Sequence, residues 1–307
     1  MKILVTGGCG FIGSNLVPLL LLAGHHVRVL DNFHVGTPKT LAGLAVDLRE
    51  GDIRDPATVA EAVAGIDVVI HLAAQTGVVP SQQAPRQDFE INARGTFNLL
   101  LASCDAEIRR FIFASSNAPL GEVSQLPFDE TCVARPLSPY GASKLAGEGY
   151  CTAFYGSYDL PTVVLRFANV YGPRSNHKES VVARFIRDLL GGYPLTIYGN
   201  GDQTRDLIYV GDLCAAIIRV LDAEQAVGQV LQIATGIETK IRDLAILVST
   251  SLGRPEAELR FLPARQGEVP RSYAAIDRTT QLLQWEPTVT LETGVLQTCC
   301  WFLEHQL

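Results

Sequence analysis

Short, mainly apolar runs alternate along the first half of the chain with longer segments of mixed character. Ile3–Val5, Val27–Leu30, Asp67–His71, Phe111–Ala114 and Thr162–Phe167 are such runs, with a weaker one near Ala45–Arg49. Mainly apolar runs of this length mark strands buried on both faces. The segments between them predict helices over Phe11–Ala23, from Pro56 onward, over Pro85–Ser103 and over Pro139–Tyr158. Gly24 stands where a helix C′ residue belongs, and Pro56 stands at a first helical position. Pro18 falls inside the first helix, where it removes a hydrogen bond and predicts a kink. Strand and helix in alternation predict an α/β fold, a doubly wound parallel (Rossmann) sheet with helices on both faces.

Past Arg174 the alternation fades. Helices are expected at Val181–Leu190, Val210–Asp222, Ile241–Leu252 and Leu291–Glu304, joined by Gly- and Pro-marked segments such as Gly191-Gly192-Tyr193-Pro194. A smaller, mixed α/β C-terminal domain covering 173–307 is expected beside a first domain of 1–172, which also receives parts of 203–235. No repeat or low-complexity linker separates them.

Chemistry enters at the end of the first strand. Gly7, Gly8, Gly10 and Gly13 follow it at once, and Asp31 ends the second strand. Glycines let backbone amides approach a pyrophosphate, and the helix that follows turns its positive end to that anion. An acid about 20 residues beyond the loop suits the two hydroxyls of an adenosine ribose, and its charge opposes a 2′-phosphate. The reading is a dinucleotide site for NAD rather than NADP. Leu72-Ala73-Ala74, Ser115-Ser116-Asn117 and Asn169 also fall at carboxyl ends of strands, where ligands of such sheets bind.

Composition narrows the partners. The chain has 307 residues, 47% apolar and 19% charged, with a net charge of −7, which excludes disorder and argues against nucleic acid or an anionic membrane. Seven scattered cysteines without a Cys-x-x-Cys pair suggest free thiols in the cytoplasm. No histidine spacing suggests a metal. The apolar run near the start is too short for a membrane span.

Tyr140 and Lys144 lie four apart on the helix expected over Pro139–Tyr158, hence on one face. An ammonium beside a phenol favours the phenolate, which predicts a lowered Tyr140 pKa and a general base near neutral pH. Ser116 ends the preceding strand, where its hydroxyl can meet the same substrate oxygen.

Together these segments resemble the extended short-chain dehydrogenase/reductases, in particular the nucleotide-sugar epimerases and dehydratases. The resemblance is carried by Thr6-Gly7-Gly8-Cys9-Gly10-Phe11-Ile12-Gly13, Asp31-Asn32, Gly51-Asp52-Ile53, His71-Leu72-Ala73-Ala74, Asn92 with Gly95-Thr96, Ser115-Ser116 and Pro139-Tyr140-Gly141-Ala142-Ser143-Lys144. It continues through Arg166–Pro173, Arg205–Val210 and Arg265-Gln266-Gly267-Glu268. It implies catalysis by Ser116, Tyr140 and Lys144. It implies NAD held by Gly7, Gly10, Phe11, Ile12, Gly13, Asp31, Asn32, Asp52, Ile53, Leu72, Ala73, Ala74, Asn92, Ser115, Tyr140 and Lys144, with Asp52 and Ile53 at the adenine. It implies a nucleotide-diphosphate sugar held by Ser116, Asn117, Asn169, Ser180, Val181, Arg205 and Arg265, the two arginines and Asn169 at the diphosphate. A homodimer through the two long helices is also implied.

The implied reaction is 4-epimerisation through a transient 4-keto sugar, on UDP-glucose/UDP-galactose or on a UDP-glucuronate or UDP-N-acetylhexosamine type of substrate. A dehydratase, decarboxylase or 4-keto reductase is the alternative on the same fold, and a non-catalytic dinucleotide sensor is disfavoured by the presence of Tyr140 and Lys144. Departures from the family pattern bear on this. Asn117-Ala118 stands where dehydratases carry Asp-Glu and decarboxylases a Glu, which disfavours both. Leu120 precedes Gly121 where the family has Tyr. Ser272 replaces a bulky aromatic, leaving room for an N-acetyl group, and Ser175-Asn176-His177-Lys178 is a loop that suits an acidic sugar substituent or solvent.

Overall fold

The computed structural model describes residues 1–264 and 269–305. Its elements begin with β1 (Lys2–Thr6), α1 (Phe11–Leu22), β2 (His26–Asp31), β3 (Val46–Glu50), α2 (Pro56–Val63), β4 (Val68–His71), α3 (Val78–Gln83), α4 (Pro85–Asp88), α5 (Gly95–Asp105), β5 (Arg110–Ser116), α6 (Pro139–Tyr158) and β6 (Thr162–Phe167). Then come β7 (Asn169–Tyr171), α7 (Val181–Leu190), β8 (Leu195–Tyr198), β9 (Thr204–Arg205), β10 (Leu207–Tyr209), α8 (Val210–Val220), β11 (Val230–Ile233), β12 (Thr239–Lys240), α9 (Ile241–Ser251), β13 (Leu259–Leu262), α10 (Asp277–Leu283) and α11 (Leu291–Glu304).

The main sheet is parallel, in the order β11-β6-β5-β4-β1-β2-β3. Its alternation is visible in the core. Ile3, Val5, Val29, Ile70, Ile112 and Leu165 join one apolar cluster with α1 and α8, whereas Leu4, Val69, Phe111, Phe113 and Val164 join another with α2, α5 and α6. Burial on both faces is why these strands read as mainly apolar runs. β11 extends the sheet from beyond residue 203, and α8 packs beside α1. A third cluster, built by α7, α9, α11 and β8, forms a separate core. Around it lie two-stranded ribbons, β7 with β10, β9 with β12 and β8 with β13.

One expectation changes on contact with the structure, and another gains a partner. The helix expected over Pro85–Ser103 is not one α-helix: α4 passes at Asp88 into a π-helical stretch, Phe89–Arg94, before α5. The wide π turn carries Asn92 inward, 1% exposed. Pro18 does remove the donor for the Ser14 carbonyl, yet α1 runs through it. The Arg174 guanidinium, reaching in from the loop after β7, donates to that carbonyl at 3.0 Å and to Thr40 O at 3.1 Å. The group that a proline strands in a helix interior thus finds a partner.

Candidate functional site

The carboxyl ends of the sheet strands hold the first part of the site. Gly7 has φ +69°, and a Cβ there would stand 2.8 Å from Ala73 Cα. A Cβ on Gly13 would stand 2.5 Å from Gly8 Cα, so α1 packs against the loop only without side chains. Gly10 caps α1 with no side-chain acceptor, and its first turn, which holds Phe11 and Ile12, carries no acid. The free amides and the positive helix end therefore face outward for an anion. The Asp31 carboxylate accepts from Cys9 N–H and Phe33 N–H, both at 2.9 Å. Those bonds fix the carboxylate and leave it acceptor capacity for ligand hydroxyls. Burial and the Asp31 charge push the Cys9 thiol up to about 11. Glycine cradle, uncapped helix and fixed acid together fit a dinucleotide.

Asp52 accepts from Arg54 Nη2 at 2.7 Å and Asn32 Nδ2 at 3.1 Å. Arg54 beside it holds its carboxyl well below the usual range. Ile53 turns its side chain into the core, where Gly95 makes room for it. Leu72, Ala73 and Ala74 are half-buried at the end of β4. Asn92 does not present a free amide: Oδ1 accepts from Gln75 N–H at 2.9 Å, while Nδ2 donates to Gln75 O and to Asp88 Oδ1, each at 2.8 Å. Ser115 also points elsewhere, its hydroxyl donating to Glu148 at 2.5 Å.

α6 starts where Ser138 caps Gly141 N–H at 3.1 Å and Pro139 supplies the preset first turn. The Tyr140 phenol lies beside the Ser116 hydroxyl, which accepts from Ala118 N–H at 3.1 Å. Lys144 is 3% exposed. Its Nζ donates to Ala114 O at 2.8 Å, 4.9 Å from the Phe113 ring centre and 6.0 Å from that of Tyr140. Burial lowers its pKa to about 8, against the raising influence of Asp88 and Glu148. The expected lowering of Tyr140 does not hold in this structure: burial raises its pKa, Asp88 adds to that, and only the Ser116 hydrogen bond opposes. The ammonium is spent on a backbone carbonyl, so a low phenolic pKa needs a further positive charge, such as a bound nicotinamide ring supplies.

Behind the pair lies His71, wholly buried between Thr6 Oγ1 at 2.7 Å and Thr96 Oγ1 at 3.0 Å. Thr96 donates to Asn92 O at 2.6 Å and Thr6 accepts from Ala73 N–H at 3.2 Å, so His71 carries its proton on Nε2. Burial first, then Lys144, keeps the ring neutral.

The second part of the site is a cleft of about 180 Å³ among the ribbons. Asn169, Ser180, Val181 and Arg205 all line it, although they lie on β7, α7 and β9. Arg205 donates to Thr204 O at 2.7 Å and Val269 O at 2.9 Å. Ser272 adjoins it through its carbonyl, which accepts from Asp206 N–H at 2.9 Å. Arg265 lies outside the described residues. Sequence reasoning passed over Arg184, Tyr198 and Gln203, which share the cleft; Arg184 lies over the Tyr198 ring at 5.5 Å. Asn117 Oδ1, Gln75 Oε1 and Ser180 Oγ are buried with no hydrogen-bond partner. Buried polar atoms of this kind await a ligand or water.

With this geometry in view, comparison with known proteins gives a consistent picture. The sequence pattern of the NAD dependent epimerase/dehydratase family matches residues 3–234. A UDP-glucose 4-epimerase of Mycolicibacterium smegmatis is 36% identical over 311 residues, spanning 98% of each chain. The crystal structure of a UDP-glucose 4-epimerase from Thermotoga maritima with UDP-glucose superposes with a TM-score of 0.95 at 35% identity, covering 100% of both chains. That of a UDP-glucuronic acid 4-epimerase from Bacillus cereus, in complex with UDP-glucuronic acid and NAD, superposes with 0.91 at 33% identity over 99% of both. These matches run nearly the full length of the chain, which belongs to the NAD dependent epimerase/dehydratase family.

Proposed function

We propose that this chain is an NAD-dependent 4-epimerase of a nucleotide-diphosphate hexose, UDP-glucose/UDP-galactose or a UDP-glucuronate or UDP-N-acetylhexosamine relative. The observation that carries the reading is the buried Tyr140 phenol beside the Ser116 hydroxyl, with Lys144 one helical turn on. Bound NAD would supply the hydride acceptor and donor for C4. Tyr140 takes the proton of the C4 hydroxyl, Ser116 holds that oxygen, and Lys144 supplies positive charge to the phenolate and to the nicotinamide ribose. Tyr140 returns the proton once the 4-keto sugar has presented its other face.

Asp31, Asn32, Asp52 and Ile53 receive the adenosine, and Gly7, Gly10, Phe11, Ile12 and Gly13 the pyrophosphate. Leu72, Ala73 and Ala74 wall the nicotinamide end, with Asn92 and Ser115 behind them, held by Gln75, Asp88 and Glu148. Asn117 flanks the hexose, Asn169, Arg205 and Arg265 hold the diphosphate, and Ser180 and Val181 lie along the base. Arginines suit the diphosphate because their planar donors pair two oxygens at once. The working division is 1–172 for cofactor and 173–307 mainly for substrate, with parts of 203–235 returning to the first.

Epimerisation is favoured over elimination or decarboxylation because Asn117-Ala118 offers no carboxylate beside Ser116. A homodimer is supported by the outer face of α5 and α6, where Leu101, Tyr150 and Tyr158 are exposed and Phe97 meets Tyr150 edge-on at 5.2 Å. A cytoplasmic setting is supported by seven free cysteines. Among the described residues no helix is long and apolar enough to cross a membrane. Incubation with UDP-glucose, UDP-glucuronate and UDP-N-acetylglucosamine, followed by NMR of the sugar protons, tests the reading. Inversion at C4 of at least one is expected; no inversion across the panel defeats it.

A further inference from the structure

A buried carboxylate stands beside the reacting pair without a part in the scheme above. Asp88 ends α4 and is 0% exposed. Its Oδ2 accepts from Ser143 Oγ at 2.6 Å and its Oδ1 from Asn92 Nδ2 at 2.8 Å. Ser143 sits between Tyr140 and Lys144 on α6, and Asn92 clamps the backbone of Gln75 beyond β4. Asp88 therefore ties the α4 segment, the end of β4 and the first turns of α6 together. Both of its donors are neutral, so these bonds orient the carboxylate and leave its charge uncancelled.

The other charged and titratable groups around the pair are accounted for. Glu148 of α6 is locked to Arg166 of β6 at 2.9 and 2.7 Å. His71 of β4 is neutral, and burial pushes the Cys151 thiol of α6 far up. The buried ammonium of Lys144 then remains, with no carboxylate in ion-pair range among the described residues. Two opposite charges inside one dry region interact across several ångströms far more strongly than in water.

We propose that Asp88 is a positioning residue for Tyr140 and Lys144: its carboxylate anchors the start of α6 through Ser143 and is the counter-charge that keeps Lys144 an ammonium in the interior. This rests on the catalytic reading of the pair. Asp88 acts on both members: its charge raises the proton affinity of Lys144 and of Tyr140. Removing the charge while keeping the shape shifts both downward. Lys144 then loses its proton within the working pH range.

The test uses the full chain with ¹³C-labelled lysine. The lysines are Lys2, Lys39, Lys144, Lys178 and Lys240, so the Lys144 signal is identified by its loss in Lys144→Met. A midpoint at about 8 is expected for the unmutated chain. In Asp88→Asn it falls by roughly one pH unit, and kcat at pH 8 falls about fivefold with KM unchanged. Asp88→Glu restores the midpoint. An unmoved Lys144 midpoint in Asp88→Asn overturns the proposal. Should Asp88→Asn not fold, Ser143→Ala decides: it keeps the charge, so the midpoint stays and most turnover survives. Full loss of turnover there at an unmoved midpoint makes Asp88 a mere hydrogen-bond anchor and overturns the proposal. If the unmutated chain inverts no sugar while Asp88→Asn still shifts Lys144, the catalytic reading fails and the charge coupling stands.

Discussion

The two parts of this chain that we propose for cofactor and for substrate, the cofactor half and the substrate half, are built by different rules. In the first, several candidate residues sit at or just beyond the end of a long sheet strand, Gly7 after β1, Asp31 at the end of β2, Ala73 after β4 and Ser116 at the end of β5, while Asn92, Tyr140 and Lys144 lie on the helical segments that pack against it. A strand's apolar run and the few residues after it are enough to place such a residue. In the second, the cleft is collected from ribbons of two to four residues, and Arg205 is held by Thr239 across β9–β12 and by Val269. Position there depends on partners tens of residues away. Each half has a core of its own, so a change in the cleft leaves the sheet that carries the glycine loop and Asp31 in place.

Tyr140→Phe is the strongest way to probe the junction of the two halves. It removes the phenolic oxygen and leaves the buried ring, so kcat falls about 10³-fold or more, while bound NAD, measured by absorbance of the released cofactor, stays near stoichiometric. Next in size, Arg205→Ala removes a charge-assisted contact in the cleft, and kcat/KM falls roughly 10- to 100-fold. Its effect stays in the substrate half: NAD content is unchanged. Loss of NAD in Arg205→Ala breaks the contrast drawn above, because it makes the ribbons part of the cofactor site.

A smaller effect comes from pH. Lys144 works as an ammonium, and burial has brought its pKa to about 8. Its positive charge is complete below that value and lost above it. Hence kcat/KM declines above pH 8, approaching about tenfold per pH unit for a single proton. In stability the sign is opposite: the buried ammonium is a cost below about 8 that is relieved as pH climbs toward the unfolded value, about 10.4. A kcat/KM profile flat from pH 7 to 9.5 contradicts the assignment.

Legibility followed local punctuation rather than that divide. α6 begins and ends at Pro139 and Tyr158 as the sequence predicts, because Ser138, Pro139 and a left-handed Asp159 punctuate it locally. β6 and α7 likewise match their expected limits. The helix expected from Pro85 to Ser103 was misread because apolar spacing is nearly the same for α and π turns over six residues. α3 hides behind Pro80, and β11 behind Gln232, a fully buried amide in an apolar strand. Ribbons such as β9 and β12 are too short for any periodicity. Asp88, Arg54 and Arg174 carry no local signature, since what each does depends on a partner brought in by the fold.

Arg174 offers the finest test of how far the halves are independent. It lies after β7, with φ +68°, yet its guanidinium serves α1 by taking the carbonyl of Ser14. That carbonyl is free because Pro18 has no N–H to give it. Arg174→Ala should then destabilise the chain by about 1–2 kcal/mol in urea denaturation, part of it for the stranded carbonyl and part for the lost bond to Thr40. Pro18→Ala restores a helix donor to Ser14. In that background Arg174→Ala costs less, with a coupling of roughly 0.5–1 kcal/mol in the double-mutant cycle. Additive effects mean that Arg174 holds the halves together through Thr40 alone, and that the proline's missing bond is met by water.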